Sequence, residues 1–146
     1  MKANKLVQLF SVVALLVAAN AASAADHIVK MKNSNADGIM VFEPGFLQIA
    51  KGDTVTFEAT DAGHNAVSEV SAGDAWQVGF TGGKVKFDNE GVEIYYCVPH
   101  RSMGMYGVIQ VGKGGNAADA KAKADSIDSS FAMNHGRLKG YAANIK

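Results

Sequence analysis

Short runs of alternating apolar and polar residues, each ended by turn-forming residues, restrict how this chain can fold more than any other feature. Residues 27–32 and 54–60 alternate with period two, and residues 51–53 (Lys-Gly-Asp) form a turn signal before the second run. Similar runs cover residues 40–49, 84–87, 92–98 and 106–111. Runs spaced about 8–12 residues apart indicate a sandwich or barrel, so we predict a mostly β fold. Residues 64–81 show no clear period, and we predict a loop there with one helical turn near residues 74–76.

The sequence becomes rich in Ala and Lys after Gly112. Residues 113–115 form a predicted hinge, Asn116 is a predicted N-cap, and residues 117–124 have high helix propensity. A second helix is predicted from about Ser129 or Ser130 to Asn144. Its broad apolar face comprises Phe131, Leu138, Tyr141 and Ile145. We therefore expect residues 113–146 to form a helical extension that packs on the β fold.

The first 24 residues have the features of a secretory signal peptide. Two lysines precede an apolar run, which ends at the small-x-small sequence of residues 22–24. We predict cleavage after Ala24, or alternatively after Ala25, and export to the periplasm as a soluble monomer. Cleavage after Ala24 removes two lysines and no acidic residue, so the formal charge changes from 0 to −2. The mature chain has neither a basic block nor a long apolar segment, so we expect no nucleic-acid partner and no membrane anchor.

The only cysteine of the chain, Cys97, needs an explanation in an exported protein. A lone thiol cannot form an intrachain disulfide, and a free exposed thiol is open to oxidation. His100 and Met105 follow it with C-x-x-H-x-x-x-x-M spacing, which places a thiol, an imidazole and a thioether on one short loop. Such soft ligands suit copper in both oxidation states, with the thioether in a weak axial position. The loop therefore predicts a copper site.

A trigonal copper plane of two imidazoles and one thiolate needs a second histidine. Three others are available in this chain. His27 lies near the predicted mature N-terminus and His135 lies in the helical tail, whereas His64 directly follows the predicted strand at residues 55–59. A ligand at the end of a strand can meet the Cys97 loop at one pole of a sandwich, so we select His64.

Several segments of the chain together resemble the pseudoazurins, which are small periplasmic type 1 copper proteins of the cupredoxin family. These segments are residues 40–44 (Met-Val-Phe-Glu-Pro), residues 51–57, the triplet Gly63-His64-Asn65 and residues 97–107. The resemblance covers essentially the whole mature chain. It implies a cupredoxin-like Greek-key β-sandwich over residues 25–112, followed by two C-terminal helices. It also implies a one-electron carrier that binds one copper ion per chain and has no catalytic residue.

The resemblance further implies which residues hold the metal. The ligands are His64, Cys97 and His100, with Met105 as the axial ligand. Met103, two residues before Met105, is an alternative thioether, but we expect it to lie in a surface patch.

Other residues around the ligands receive expected roles from the same resemblance. Asn65 is expected to tie the two ligand loops together and to direct its backbone N–H at the Cys97 sulfur. Pro99 has no N–H and therefore adds no further hydrogen bond to that sulfur. Met40 is expected beside the ring of His100, in a partner-binding patch with Met103 and Arg101.

The implied partners are transient redox proteins, with a periplasmic reductase such as a copper nitrite reductase as acceptor. The chain departs from the family at two places. Ala62 and Tyr96 stand where lysines of the docking patch are expected, and Arg101 supplies a positive charge instead. These departures leave the predicted copper site intact but weaken the case for charge-driven docking to an acidic partner.

Two other functions fit part of the sequence. A copper chaperone or storage protein also uses soft ligands, but such proteins favour Met-rich or C-x-x-C sites. A nucleophilic enzyme could use Cys97 with His100, but three residues on one tight loop provide neither an oxyanion hole nor a suitably placed base. We therefore predict an electron carrier.

Overall fold

The computed structural model describes residues 23–146, so all but the last two residues of the predicted signal peptide lie outside the described residues. Nine strands are followed by two α-helices, and a short 3₁₀ helix, Val98–Met103, lies between the last two strands. The elements are β1 (Asp26–Asn35), β2 (Gly38–Glu43), β3 (Phe46–Ile49), β4 (Thr54–Glu58), β5 (Ala66–Val70), β6 (Gln77–Val78), β7 (Gly83–Lys86), β8 (Gly91–Tyr96), β9 (Tyr106–Val111), α1 (Ala117–Asp128) and α2 (Arg137–Ala142). Neither helix of this part of the chain has the length and apolar character needed to cross a membrane.

The strands form two sheets. One has the order β2-β1-β4-β7 and the other has the order β3-β9-β8-β5-β6. The pairs β1–β4 and β3–β9 are parallel, and the remaining pairs are antiparallel. The predicted β-sandwich with C-terminal helices is therefore confirmed.

The core between the sheets comes from the period-two alternation of the sequence. On β1, Val29 and Met31 are fully buried while Lys30 points outward. Tyr95 is also fully buried, and its ring lies edge-on to those of Phe42 and Phe57, with centroids 4.7 and 5.3 Å apart. These ring contacts join β8, the strand that leads into the Cys97 loop, to β2 and β4 of the other sheet.

The helical extension covers the outer face of β8 and β9. All six residues of β9 are buried, because one face packs in the sandwich and the other packs against the helices. The second cluster combines apolar residues of β8 and β9 with residues of the extension: Val92, Ile94, Tyr106, Val108, Ala120, Ala124, Ile127, Phe131, Leu138, Ala142 and Ile145. Two-sided burial explains why β9 shows no alternation of apolar and exposed polar residues, and its one polar side chain, Gln110, is itself buried.

The prediction for residues 64–81 was wrong. This segment contains β5 and β6, and residues 74–76 form no helical turn. A register shift between Ser68 and Val70 interrupts the ladder of β5 with β8, and the same irregularity hides the alternation in the sequence. Trp76 packs against the core, and its indole nitrogen donates a 2.9 Å hydrogen bond to Glu93.

The helical tail also differs from its prediction. The second helix begins at Arg137, because Asn134 and Gly136 have left-handed backbone angles (φ 60° and 84°) that no α-helix can contain. Asn116 precedes α1 as predicted but does not cap it with its side chain. That side chain instead accepts a hydrogen bond from the Val92 N–H and donates one to the Val92 carbonyl, which attaches the start of the tail to β8.

Candidate metal centre

Two loops meet at one end of the sandwich and bring the predicted ligands together. His64 lies between β4 and β5, and the loop of residues 97–105 connects β8 to β9. Pro99 lies in the first turn of the short helix, where its fixed φ and missing N–H cost nothing. Gly104 ends this helix with φ 73°, and the His100 N–H bonds back to the Cys97 carbonyl at 3.2 Å. The tight loop therefore places the imidazole of His100 over Cys97.

Three donor atoms converge at this point. Nδ1 of His64 lies 3.1 Å from Nδ1 of His100, and the Cys97 sulfur lies 3.8 and 3.4 Å from these two nitrogens. The point equidistant from the three atoms lies about 2 Å from each, which is the bond length of a transition metal to imidazole and thiolate ligands. Within residues 23–146 no other group of three His, Cys, Asp or Glu side chains has this property. The geometry and the chemistry of the donors both fit a copper ion.

His64 is held with its lone pair facing this point. Its Nε2 lies 2.8 Å from the side-chain oxygen of Asn33, which can only accept a hydrogen bond. Nε2 therefore carries the proton and Nδ1 is free to bind a metal. Burial, and secondly the neighbouring His100, lower the pKa of His64, which favours the neutral ring that ligation requires.

Cys97 is fully buried in the core cluster. Burial raises the pKa of its thiol, and the backbone N–H groups of Asn65 and His100 act in the opposite direction by pointing at the sulfur. The Asn65 side-chain oxygen accepts a 2.8 Å hydrogen bond from the Val98 N–H, so this residue contacts both ligand loops. Pro99 has no backbone N–H, so it cannot donate a further hydrogen bond to the sulfur.

Met105 is fully buried, in the same cluster as Cys97. Its carbonyl accepts a 3.0 Å hydrogen bond from the Cys97 N–H, and its own N–H donates to the His100 carbonyl at 3.2 Å. Its backbone is thus bonded to both other ligand positions of the loop. Met103 is partly exposed, and it is the last residue of the short helix, directly before the cap residue Gly104.

The residues assigned to the partner patch have different environments. Met40 is partly exposed and has a left-handed backbone (φ 51°). Arg101 is exposed but pairs with Glu69 at 2.8 Å and donates to the Tyr106 hydroxyl at 3.0 Å. Its guanidinium carbon lies 4.7 Å from the centre of the Tyr96 ring. The positive charge that the sequence places beside His100 is therefore largely compensated.

The other two histidines lie outside the site. His27 bonds to Asp53 at 2.8 Å, and His135 is exposed next to α2. Two residues that contact the site were not predicted from the sequence. Asn33 orients His64, and Arg137 donates a hydrogen bond to the Gly104 carbonyl. No local motif marks either residue, because each acts across more than 30 positions of the chain.

The chain is similar to members of a family of copper-binding proteins. Residues 29–112 match the family described as copper binding proteins, plastocyanin/azurin family. A putative pseudoazurin of Rhizobium leguminosarum bv. viciae is 45% identical over 109 residues, which are 68% of this chain and 68% of the relative. Pseudoazurin of Methylorubrum extorquens is 35% identical over 131 residues, covering 86% and 82% of the two chains. The crystal structure of native pseudoazurin from Hyphomicrobium denitrificans has a TM-score of 0.73 at 34% identity and covers 83% of this chain and 98% of its own.

Proposed function

Since this chain belongs to the pseudoazurins, within the plastocyanin/azurin family of copper-binding proteins, we propose that His64, Cys97, His100 and Met105 together hold its copper ion. The protein is an electron carrier and not an enzyme. The observation that supports this ligand set best is the convergence of one sulfur and two imidazole nitrogens about 2 Å from a common point. Copper in such a site supplies a one-electron couple between Cu(II) and Cu(I).

The protein frame keeps the donors in one arrangement. Backbone hydrogen bonds join Cys97, His100 and Met105 to one another, and the Asn65 side chain fastens the His64 loop to the same segment. Donors that are held in place move little when the charge at the site changes, which favours fast electron transfer. Asn65 and Pro99 set how many N–H groups reach the sulfur and so tune the reduction potential.

His100 is the ligand through which electrons enter and leave. It alone among the four proposed ligands is partly exposed, whereas the other three are fully buried. Val98, in the same loop, is 52% exposed, and Met40 and Met103 are partly exposed. These apolar side chains form the partner patch, which suits a short-lived redox contact. Arg101 lies at this patch but contributes little net charge because Glu69 neutralises it.

The proposal also covers the electron acceptor and the cellular location of the protein. The acceptor is a periplasmic reductase, with a copper nitrite reductase as the first to test. The chain is exported and cleaved after Ala24. The backbone nitrogen of Ala25 lies 2.8 Å from a carboxylate oxygen of Asp53, so the α-amino group that cleavage creates would have an anionic partner ready.

Loading the purified protein with Cu(II) tests the ligand set. We expect an intense sulfur-to-copper charge-transfer band in the visible range that ascorbate bleaches reversibly. Cys97→Ser should abolish this band, and His64→Gln should change it strongly, since each removes one donor. His135→Gln is the matched control, because it removes an exposed imidazole outside the site. A band that survives in Cys97→Ser would refute the assignment.

Electron-exchange rates with a panel of periplasmic reductases would then identify the acceptor.

A further inference from the structure

The C-terminal extension holds the ligand loop from outside the sandwich. Three consecutive carbonyls of that loop accept hydrogen bonds from it: Ser102 from the Ala132 N–H at 2.7 Å, Met103 from the Asn134 side chain at 2.7 Å, and Gly104 from Arg137 at 3.3 Å. We call the donors Ala132, Asn134 and Arg137 the tail clamp. The three carbonyls directly precede Met105, so the clamp acts on the segment that leads into this ligand.

Phe131, next to the clamp, shapes the turn that the clamp holds. A Cβ atom at Gly104 would lie 2.9 Å from the ring of Phe131 and 3.2 Å from the Met133 carbonyl. Phe131 is 5% exposed, and its ring centre lies 5.2 Å from that of Tyr106. The left-handed turn at Gly104 is therefore packed directly against the tail.

Arg137 extends the clamp to the second segment of the partner patch. Besides Gly104, its guanidinium donates to the carbonyls of Met40 at 2.8 Å and Ile39 at 2.9 Å. It also bonds to the carbonyl of Asp37 at 3.1 Å. Within residues 23–146 it makes no ion pair. The two terminal nitrogens of its guanidinium donate only to main-chain carbonyls, including that of Met40, whose left-handed backbone needs such support.

The base of the clamp is itself fixed. The buried carboxylate of Asp128, at the end of α1, accepts hydrogen bonds from the N–H groups of Gly136 at 2.6 Å and Leu138 at 2.9 Å. These contacts place the start of α2, and with it Arg137, relative to α1. Since α1 packs on β8, the strand that ends beside Cys97, the clamp and the ligands share one frame.

We propose that Asn134 and Arg137 are positioning residues of the copper site, and that they hold the loop so that Met105 keeps its place relative to Cys97 and His100. This inference rests on the ligand set proposed above. It assigns the helical extension a role in setting the properties of the metal, and not only in stabilising the fold. It also gives residues without any metal-binding chemistry an influence on the reduction potential.

Arg137→Met and Asn134→Gly test the inference. Met retains the length and apolar character of the Arg stem, and Gly accepts the left-handed backbone of Asn134 without strain. Lys139→Met is the matched control, because it removes a positive charge from the same helix without a bond to the loop. The first measurement is amide hydrogen exchange in the metal-free protein. We expect the Gly104 and Met105 amides to exchange about tenfold faster in both test variants, with β1 unchanged.

The second measurement uses the copper-loaded proteins. We expect Arg137→Met and Asn134→Gly to shift the reduction potential and the relative intensities of the visible bands, Arg137→Lys to shift them less, and Lys139→Met to leave them unchanged. If both test variants lose stability in urea but keep wild-type exchange, potential and spectrum, the tail serves only the fold and the inference is wrong. If Arg137→Met does not fold, the same measurements on Asn134→Gly alone test the inference. A wild-type protein without a charge-transfer band would refute the ligand set instead, and the exchange data would still report on the clamp.

Discussion

At the scale of single residues, the hydrogen bond between Asn33 and His64 fixes which ring nitrogen of His64 is free to bind a metal. The Asn33 side-chain oxygen lies 2.8 Å from Nε2 of His64, and Nδ1 of the same ring faces Cys97 and His100. An outer partner of this kind selects the tautomer and holds the ring plane. Asn33 reaches His64 from β1, which lies far along the sequence from the loop of residues 97–105 that carries the other proposed ligands.

Asn33→Ala should weaken copper binding about 10–100-fold, because the His64 ring loses its orientation and its preferred tautomer. Competition with a calibrated copper chelator measures this affinity. Asn35→Ala is the control, since Asn35 lies on the same strand but its amide bonds to Glu43 at 2.8 Å. Equal affinity of Asn33→Ala and the wild type would show that the contact does not orient the ring.

At the scale of secondary-structure elements, Asp53 joins the beginnings of β1 and β4, which pair in parallel. Its carboxylate accepts hydrogen bonds from the N–H groups of Ala25 at 2.8 Å and Ala50 at 3.0 Å, and bonds to His27 at 2.8 Å. The Ala25 N–H, then His27, then the Ala50 N–H lower the pKa of Asp53 from its ordinary 3.8 to about 2. The folded protein therefore prefers the charged carboxylate.

The pH dependence of unfolding tests this contact. Because the pKa is lower in the folded chain, the carboxylate stabilises the fold fully above its ordinary pKa of 3.8, and this contribution is lost as the pH falls toward 2. Asp53→Asn should thus lower the free energy of unfolding of the metal-free protein at pH 6, with a difference that shrinks between pH 4 and pH 2. Urea unfolding at each pH provides the measurement. Asp74→Asn, on an exposed turn, serves as control. A difference that grows on acidification would contradict the assigned role.

The elements also show what the sequence could predict. Strands such as β1 and β4 are buried on one face only, so their alternation is visible and they were predicted correctly. The short strand β6 and the bulged strand β5 were missed, because neither presents a run of clean period two. The tail was predicted as helical, but the left-handed residues Asn134 and Gly136 shorten its second helix.

At the scale of the whole molecule, the charge around His100 is smaller than the sequence suggests. Arg101 follows His100 directly, yet it forms an ion pair with Glu69, whose second oxygen accepts a hydrogen bond from the Tyr106 hydroxyl. The predicted cleavage after Ala24 would leave a chain with a formal charge of −2. We therefore expect weak long-range attraction of an anionic partner, with the proposed apolar patch supplying most of the contact.

Glu69→Gln should release the charge of Arg101 and speed electron exchange with an anionic reagent. We expect oxidation of the reduced protein by ferricyanide to become a few-fold faster at low ionic strength, with a steeper salt dependence. Glu90→Gln is the matched control. It changes the net charge equally, but it lies beside the start of β8, at the far end of the strand from Cys97. Stopped-flow rates over a range of salt concentrations measure the effect. Equal acceleration in both variants would mean that only net charge matters.

The candidate site divides into a part that the sequence predicts and a part that only the fold provides. Cys97, His100 and Met105 lie on one loop, and their residue types and spacing suffice to indicate copper. His64 follows a recognisable strand, which made its choice possible. Asn33 and Arg137 reach the site through strand pairing and helix packing, so no spacing in the sequence marks them. The pairing of Arg101 with Glu69 is hidden for the same reason.

The tail clamp also has a consequence for the order in which the protein is made. Its donors lie later in the sequence than His64, Cys97, His100 and Met105, so the ribosome adds them after all four proposed ligands. A chain that stops short of Asn134 contains every proposed ligand but lacks both side chains of the clamp. Copper would find all the proposed donor atoms in such a fragment, but the loop of residues 97–105 would lack the hydrogen bonds of the clamp side chains. If the clamp acts as proposed, only the completed chain holds Met105 in its place relative to Cys97 and His100.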